Sequence, residues 1–444
     1  MSTTGNPSPL FYQSGASLPL IDHAKGIRMW DTTGKAYIDG CSGSVICNIG
    51  HGDERVARAM AEQAAKASFA YRTHFNNQPA LDLARKLIDQ TPEHLDKVFY
   101  VSGGSEAVES AMKLCCQYFH ATGQGERSLF IARRPSYHGA TLGALALTSY
   151  APLETPFLKM RQEYPKIPAP YCYRCPYGKT QPSCGIQCAR ALEETILEHG
   201  PEKVAAFVVE PVSGASVGAL PAPEGYFDII QETCRKYGVM LILDEVMSGF
   251  GRTGALFALE HWDVKPDILA ISKGMASGYF PLGGILAPAA MTDAVMESGG
   301  FAHGHTYAGG PMACAVGNAV LDIILGDKLP ENAAVRGETL KAGLEELAKR
   351  HPIIGEVRGK GLLLALEFVA DRETREPFPT KTRLADRLAK IAYDLGLFIY
   401  PRRPINGLEG DHVLVAPPLI LTDDDVTEIL EKLDSALTKA LEII

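Results

Sequence analysis

The sequence predicts an α/β fold: a large domain with a mostly parallel sheet covered by helices, plus a smaller α+β domain drawn from both chain ends. Three observations carry this. Short, continuously apolar runs alternate with helical patterns from Val98 to Ala287, the pattern of strands buried on both faces. After Pro311 the pattern changes to long helices with a few short strands. Two apolar runs stop on ionisable residues, Val239-Met-Leu-Ile-Leu-Asp244-Glu245 and Asp267-Ile-Leu-Ala-Ile-Ser272-Lys273-Gly274. In an open parallel sheet such ends point into the ligand crevice.

In order, residues 1–60 form an N-terminal segment with short strands at Gly26–Asp31 and Ala36–Asp39, expected to pack with the small domain because chain ends often meet. The large domain is expected over 61–325. A helical pattern runs from Glu54 to Leu87, broken near Asn76–Pro79. Strand Val98–Val101 leads to helix Glu106–Phe119, and Leu129–Ala132 leads to a loop at Tyr137–Gly139. Val204–Glu210 precedes a helix at Tyr226–Tyr237. Strands Met240–Asp244, Ile268–Ser272 and Gly284–Ala287 follow, then helix Pro311–Leu325. The small domain covers 326–444, with helices at Asn332–Arg350, Leu384–Leu395 and Asp423–Leu441. An apolar run at Gly361–Phe368 and short strands at Leu397–Tyr400 and His412–Val415 lie between them.

The 444 residues, 46% hydrophobic and 21% charged, suit a globular protein with two or three domains. A net charge of −9 advertises no basic surface for nucleic acid or anionic lipid. The opening Met1–Pro9 has no basic or apolar leader pattern, and no apolar run approaches a membrane span. Most of the ten cysteines are scattered, so a cytoplasmic location is expected. Four are not scattered: Cys172-x2-Cys175 and Cys184-x3-Cys188. They fit a structural zinc, two disulfides or four free thiols on a surface excursion.

The chemistry-bearing residues sit at strand ends. An Asp that keeps a ring nitrogen protonated and a Lys that forms an imine are the polar pair required by pyridoxal phosphate; Asp244 and Lys273 are those residue types. Read alone, each is also an ordinary turn or loop residue. Val101-Ser-Gly-Gly104-Ser105-Glu106 lies between a strand and a helix. It fits an anion site at a helix N-terminus and equally a simple N-cap by Ser102 or Ser105. Tyr137 follows the next strand and could stack on a planar ring or pack on the surface.

Taken in order, Ser102-Gly-Gly-Ser-Glu-Ala, Tyr137-His-Gly-Ala-Thr-Leu-Gly-Ala, Glu210-Pro-Val, Leu243-Asp-Glu-Val-Met-Ser-Gly-Phe-Gly-Arg-Thr-Gly254, Ser272-Lys-Gly and His305-Thr-Tyr-Ala-Gly-Gly-Pro resemble the class III pyridoxal-phosphate aminotransferases of fold type I, from about Phe11 to Ala416-Pro-Pro-Leu. The resemblance implies amino transfer from an amine or ω-amino acid to a 2-oxo acid, pyruvate or 2-oxoglutarate, in two ping-pong half-reactions. It implies that Lys273 forms the imine and carries the proton, and that Asp244 pairs with the pyridine nitrogen. Val246 and Tyr137 would flank the ring, and Gly104 and Ser105 would hold the phosphate. Thr306 would complete that phosphate site from the neighbouring subunit of a homodimer. Glu210 would lie near cofactor or substrate. An aminomutase, racemase or decarboxylase on the same scaffold is the alternative.

Three departures from the family pattern bear on substrate. Met247 stands where many relatives have Gln, and Gly310 where many have His or Asn. Leu414 stands where relatives acting on ornithine-like or 4-aminobutyrate-like substrates have Arg. The fixed carboxylate clamp is therefore expected to be missing. Tyr400-Pro-Arg402-Arg403 lies where ω-amine transaminases carry a mobile Arg. It fits a movable clamp or a solvated pair.

Overall fold

Buried strand residues on both faces require helices on both faces, and the inner strands meet that condition. Every residue of Val204–Val209, Met240–Asp244, Ile268–Ile271 and Gly283–Ala287 is buried. The computed structural model describes Leu10 and residues 18–442. Met1–Pro9 and Phe11, on which the leader reading and the start of the resemblance fall, lie outside the described residues.

The seven-stranded sheet runs Lys97–Val101, Gly283–Ala287, Ile268–Ile271, Met240–Asp244, Val204–Val209, Leu129–Arg134, Lys166–Pro168 across its width. Gly283–Ala287 is antiparallel to both neighbours, and every other pairing is parallel. The carboxyl ends of Leu129–Arg134, Val204–Val209, Met240–Asp244 and Ile268–Ile271 therefore open on the same edge. Gly283 matters to that edge. A Cβ there would lie 3.0 Å from the Gly103 carbonyl, so any larger residue would push the Ser102–Gly103 loop away from the strand.

The second layer is a four-stranded antiparallel sheet, Ile354–Lys360, Leu363–Phe368, Asp411–Val415, Tyr400–Arg402, covered by helices Leu329–Arg350, Leu384–Asp394 and Asp423–Leu441. The N-terminal segment joins it. Its three-stranded sheet, Ile21–Lys25, Arg28–Asp31, Ala36–Ile38, ends where Ile38 exchanges backbone hydrogen bonds of 2.9 Å with Gly396 and Phe398. Arg28 donates to Glu428 at 2.7 Å.

The main departures from the sequence expectations have physical causes. Lys166–Pro168 is an unexpected edge strand: three residues ending in proline carry almost no periodic signal. Ile354–Lys360 was not expected as a strand because its alternate positions carry Glu356 and Arg358, which look solvated in sequence but are partly or fully buried. Leu397 makes only an isolated bridge to Ile38, and the strand expected over Leu397–Tyr400 begins at Tyr400. The excursion bearing the cysteines passes into a helix, Gln187–His199, that includes Cys188.

Candidate active site

One pocket at the carboxyl edge of the large sheet is lined by Gly104, Ser105, Tyr137, Glu210, Asp244, Val246 and Lys273, together with His138, Gly139, Val212, Gly214, Ala215 and Met247. Residues spread over 170 positions of sequence thus meet because successive strands end together.

Lys273 follows Ile268–Ile271 and sits in the left-handed region at φ 44°, a conformation that costs a β-carbon-bearing residue about 1 kcal/mol. The turn is held from behind: a Cβ on Gly274 would run into the Asn48 amide and come 2.8 Å from Phe250 Cβ. Burial pushes the Lys273 amine down to about 8; the Asp244 and Glu210 carboxylates oppose this and Arg252 adds to it.

Asp244 and Glu245 close the neighbouring strand and turn opposite ways. Asp244 Oδ2 accepts from His138 Nδ1 at 2.8 Å and Oδ1 from the Val246 N–H at 3.0 Å. Glu245 accepts from the Ala258 and Leu259 N–H groups at 2.8 and 2.6 Å and from Ser248 Oγ at 2.9 Å. It ties down the short helical turn Ala258–Trp262, and burial pushes its carboxyl up to about 7. Arg252 of the same motif is fully buried. It donates to the Leu362 and Pro417 carbonyls at 3.1 and 2.5 Å, to Ser42 Oγ at 3.0 Å and to Asn48 Oδ1 at 2.8 Å, stapling both chain ends behind Lys273.

The helix start at Gly104 now separates from the capping alternative. The N-cap is Gly103, and no side chain caps the helix Gly104–Ala121. Glu106 reaches back to accept from the Ser102 N–H at 2.8 Å, and Ser105 Oγ accepts from the Ala140 N–H at 3.0 Å. The first-turn N–H groups are thus left without a side-chain acceptor beside the pocket, the arrangement that attracts an anion. A Cβ on Gly104 would lie 2.7 Å from Val246 Cγ1, so the glycine also makes room for Val246.

Glu210 follows Val204–Val209. Its Oε1 accepts from the Gly214 N–H at 3.2 Å, while Oε2 is buried without a hydrogen-bond partner. Burial pushes its carboxyl up, against His138 and Arg133. Tyr137 is partly exposed at the pocket. Thr306 is exposed on the loop before Pro311 and is not among the residues lining this pocket. Arg402 donates to Tyr400 Oη, and its guanidinium lies 4.3 Å from the Tyr400 ring centre. Arg403 is tied elsewhere, donating to Asp386 Oδ2 at 3.0 Å.

Facing the strand ends is an apolar wall. Leu414 is fully buried in one cluster with Val45, Val212, Leu363 and Ala365, against which Ala215, Met247 and Tyr400 pack. The four cysteines Cys172, Cys175, Cys184 and Cys188 are free thiols lining one small cavity away from the pocket. Among the described residues, the one group with three metal-ligand atoms within 4.8 Å is Asp39, Cys47 and His51. There His51 Nε2 donates to Asp39 Oδ2 at 2.9 Å.

The aminotransferase class-III family profile matches residues 12–437. The chain belongs to the class-III aminotransferases. An aminotransferase of Bacillus subtilis, YodT, is 40% identical over 94% of each chain. A probable mitochondrial gamma-aminobutyrate transaminase 3 of Oryza sativa is 35% identical over 97% of this chain and 84% of that protein. An (S)-enantioselective omega-transaminase from Thermomicrobium roseum superposes with a TM-score of 0.90 at 37% identity, covering 96% of this chain and 93% of that one. An amine transaminase from an uncultivated Pseudomonas species, solved with PLP bound, gives 0.91 at 33% identity over 99% of each.

Pyridoxal phosphate is typical of these aminotransferases, and the pocket fits it. It offers an uncapped helix start, a buried carboxylate, a half-buried lysine with a lowered pKa and the unpaired polar atoms Glu210 Oε2 and His138 Nε2. His138 was missed in sequence although it follows Tyr137. The usable signal was that a buried Asp244 needs a hydrogen-bond donor.

Proposed function

We propose that this aminotransferase moves an amino group from an amine or ω-amino acid to a 2-oxo acid, pyruvate or 2-oxoglutarate, in two half-reactions through one site. The carrying observation is that Lys273, Asp244 and the uncapped start of helix Gly104–Ala121 meet in one pocket.

Bound pyridoxal phosphate supplies an electron sink for negative charge at the carbon bearing the amino nitrogen. Lys273 is its covalent anchor and the base that takes and returns the proton at that carbon. Both roles need the neutral amine. A shift from 10.5 to about 8 raises the neutral fraction at pH 7 by roughly 10²-fold. Asp244 accepts a hydrogen bond from the protonated ring nitrogen; His138 and the Val246 N–H fix its two oxygens, each with a second lone pair to spare. Gly104 and Ser105 hold the phosphate, and Tyr137 and Val246 flank the ring. Thr306, exposed on its own chain, completes the phosphate site of a second copy in a homodimer. The N-terminal segment and residues 326–444 form one lobe, and residues 61–325 the other.

The substrate side supports an amine or ω-amino donor. Leu414 puts a buried hydrocarbon where a fixed guanidinium would clamp a carboxylate, and Met247 and Ala215 extend that apolar surface. Arg402, near Tyr137 at the pocket edge and with no ion pair among the described residues, is the clamp for the oxo-acid carboxylate. Arg403 is already paired with Asp386. The related omega-transaminases fit the same donor class. The test is a panel of amines, ω-amino acids and α-amino acids, each paired with pyruvate and with 2-oxoglutarate. Alanine or glutamate should form in amounts that match the oxo acid consumed, fastest with donors lacking an α-carboxylate. Turnover that needs no oxo acid would overturn the proposal.

A further inference from the structure

Four adjacent parallel strands deliver an ionisable residue to the same edge. Arg133 lies in Leu129–Arg134, Glu210 follows Val204–Val209, Asp244 ends Met240–Asp244, and Lys273 follows Ile268–Ile271. Across the sheet the charges run plus, minus, minus, plus. Arg133 has no part in the chemistry described above. Arg133 is 1% exposed. Its Nη2 donates to the Glu210 carbonyl at 2.6 Å and to Ser213 Oγ at 2.8 Å, and lies 3.7 Å from Glu210 Oε2. Its Nε and Nη1 have no hydrogen-bond partner, and neither does Glu210 Oε2.

A guanidinium stays protonated in proteins, so a buried arginine needs an anion beside it. Among the described residues, Glu210 is the only carboxylate within 4.0 Å of Arg133. The need runs the other way too. Glu210 is buried at the pocket and feels Asp244, a like charge that favours its protonation. His138 and Arg133 favour its ionised form, as does the Gly214 N–H. Lys273, across the pocket, is held more basic by Glu210. Of the groups favouring ionisation, Arg133 alone carries an unconditional full positive charge.

We propose that Arg133 is the fixed counter-ion that keeps Glu210 an oriented carboxylate on the pocket floor, and so is a positioning residue for the charge balance around Lys273. A purely structural role is the competing account. In it, Arg133 merely ties the loop through the Glu210 carbonyl and Ser213, and the Glu210 side chain carries no charge. The two accounts differ in the protonation of Glu210, which can be read directly.

In cofactor-free protein at neutral pH, infrared difference spectra of Arg133→Gln should show the carbonyl stretch of a protonated carboxyl. The band is read in the spectrum minus that of wild type, where the Glu245 contribution cancels, and the same difference for Arg133→Lys and for the Arg133→Gln/Glu210→Gln double variant should lack it. No such band in Arg133→Gln overturns the proposal. A second arm does not require Arg133→Gln to fold, and rests on the reading of Lys273 as the cofactor lysine. In protein loaded with pyridoxal phosphate, Glu210→Gln removes a negative charge that favours the protonated state. The midpoint of the visible-absorbance pH titration should fall by about half a unit or more. An unchanged midpoint means that Glu210 is already neutral, and overturns the proposal. If no visible band forms at all, the cofactor assignment has failed, while the infrared arm still decides the ion pair.

Discussion

The floor of the pocket and the wall that faces it are built by opposite means. On the floor, Arg133, Glu210, Asp244 and Lys273 lie in or directly after parallel strands, so backbone ladders set their positions. On the wall, the segment from Val212 to Leu220 is held by side chains arriving from the other layer. Arg358 donates to the Gly218 carbonyl at 2.6 Å and also to the Val217 carbonyl. Its charge is met by Glu367 at 2.6 Å. His412 Nε2 donates to the Ala215 carbonyl at 3.1 Å. Tyr171 and Arg174 bring the cysteine-bearing excursion onto the same Glu367. In the proposed reading, the cofactor residues thus sit on a sheet edge, while the surface offered to substrate hangs from a buried charge network that joins the two sheets.

The comparison breaks most sharply at Lys273. Lys273→Ala should lower turnover by about 10³-fold or more, the scale of losing nucleophile and proton carrier together, with little loss of fold. Near-normal turnover would remove the floor from the chemistry. On the wall, Arg358→Leu should cost about 3 kcal/mol, because buried Glu367 keeps only Arg174 of its two cations and the Gly218 and Val217 carbonyls lose their donor. A urea or thermal titration measures it. A loss under about 1 kcal/mol would mean that the network does not hold the wall.

Stability against pH sharpens the floor further. The folded state lowers the Lys273 pKa from 10.5 to about 8, so it disfavours the charged amine. The unfolded chain binds more protons between those values, and stability rises with pH across that window. In cofactor-free protein, Lys273→Met should therefore be the more stable form at pH 7, by up to about 3 kcal/mol. The gap should close as pH rises from 8 towards 10.5. A pH-independent difference would place Lys273 in contact with solvent. The smallest effect belongs to the wall's edge. Arg402→Ala should slow the oxo-acid half-reaction by about tenfold and leave the half-reaction of an uncharged amine within about twofold. Stopped-flow absorbance separates the two, and equal losses would point to general damage.

The same contrast governs how much was legible in the sequence. Asp244, Lys273, Gly104 and Val246 follow apolar runs that the eye can find, and neighbouring parallel strands bring such ends together without further information. The helix around Tyr226–Tyr237 and the strand Met240–Asp244 were readable for the same local reason. The wall depends on contacts between distant residues that look solvated in sequence. Glu356 and Arg358 look solvated in sequence until their strand pairs with Leu363–Phe368 and Glu367 meets Arg358. Met247 reads as a missing polar contact, yet its thioether fills the space that a Cβ on Gly214 would need. His138 and Arg133 stand beside legible residues, but their partners come from other strands, and no local pattern announces which way the side chains turn.

The central claim is that Lys273 carries the cofactor. Loading the protein with pyridoxal phosphate, reducing it with borohydride and mapping its peptides by mass tests this directly. The account predicts one pyridoxyl-phosphate adduct per chain, on Lys273, absent when an amine donor is added before reduction. An adduct on another lysine, or none at all, would contradict it.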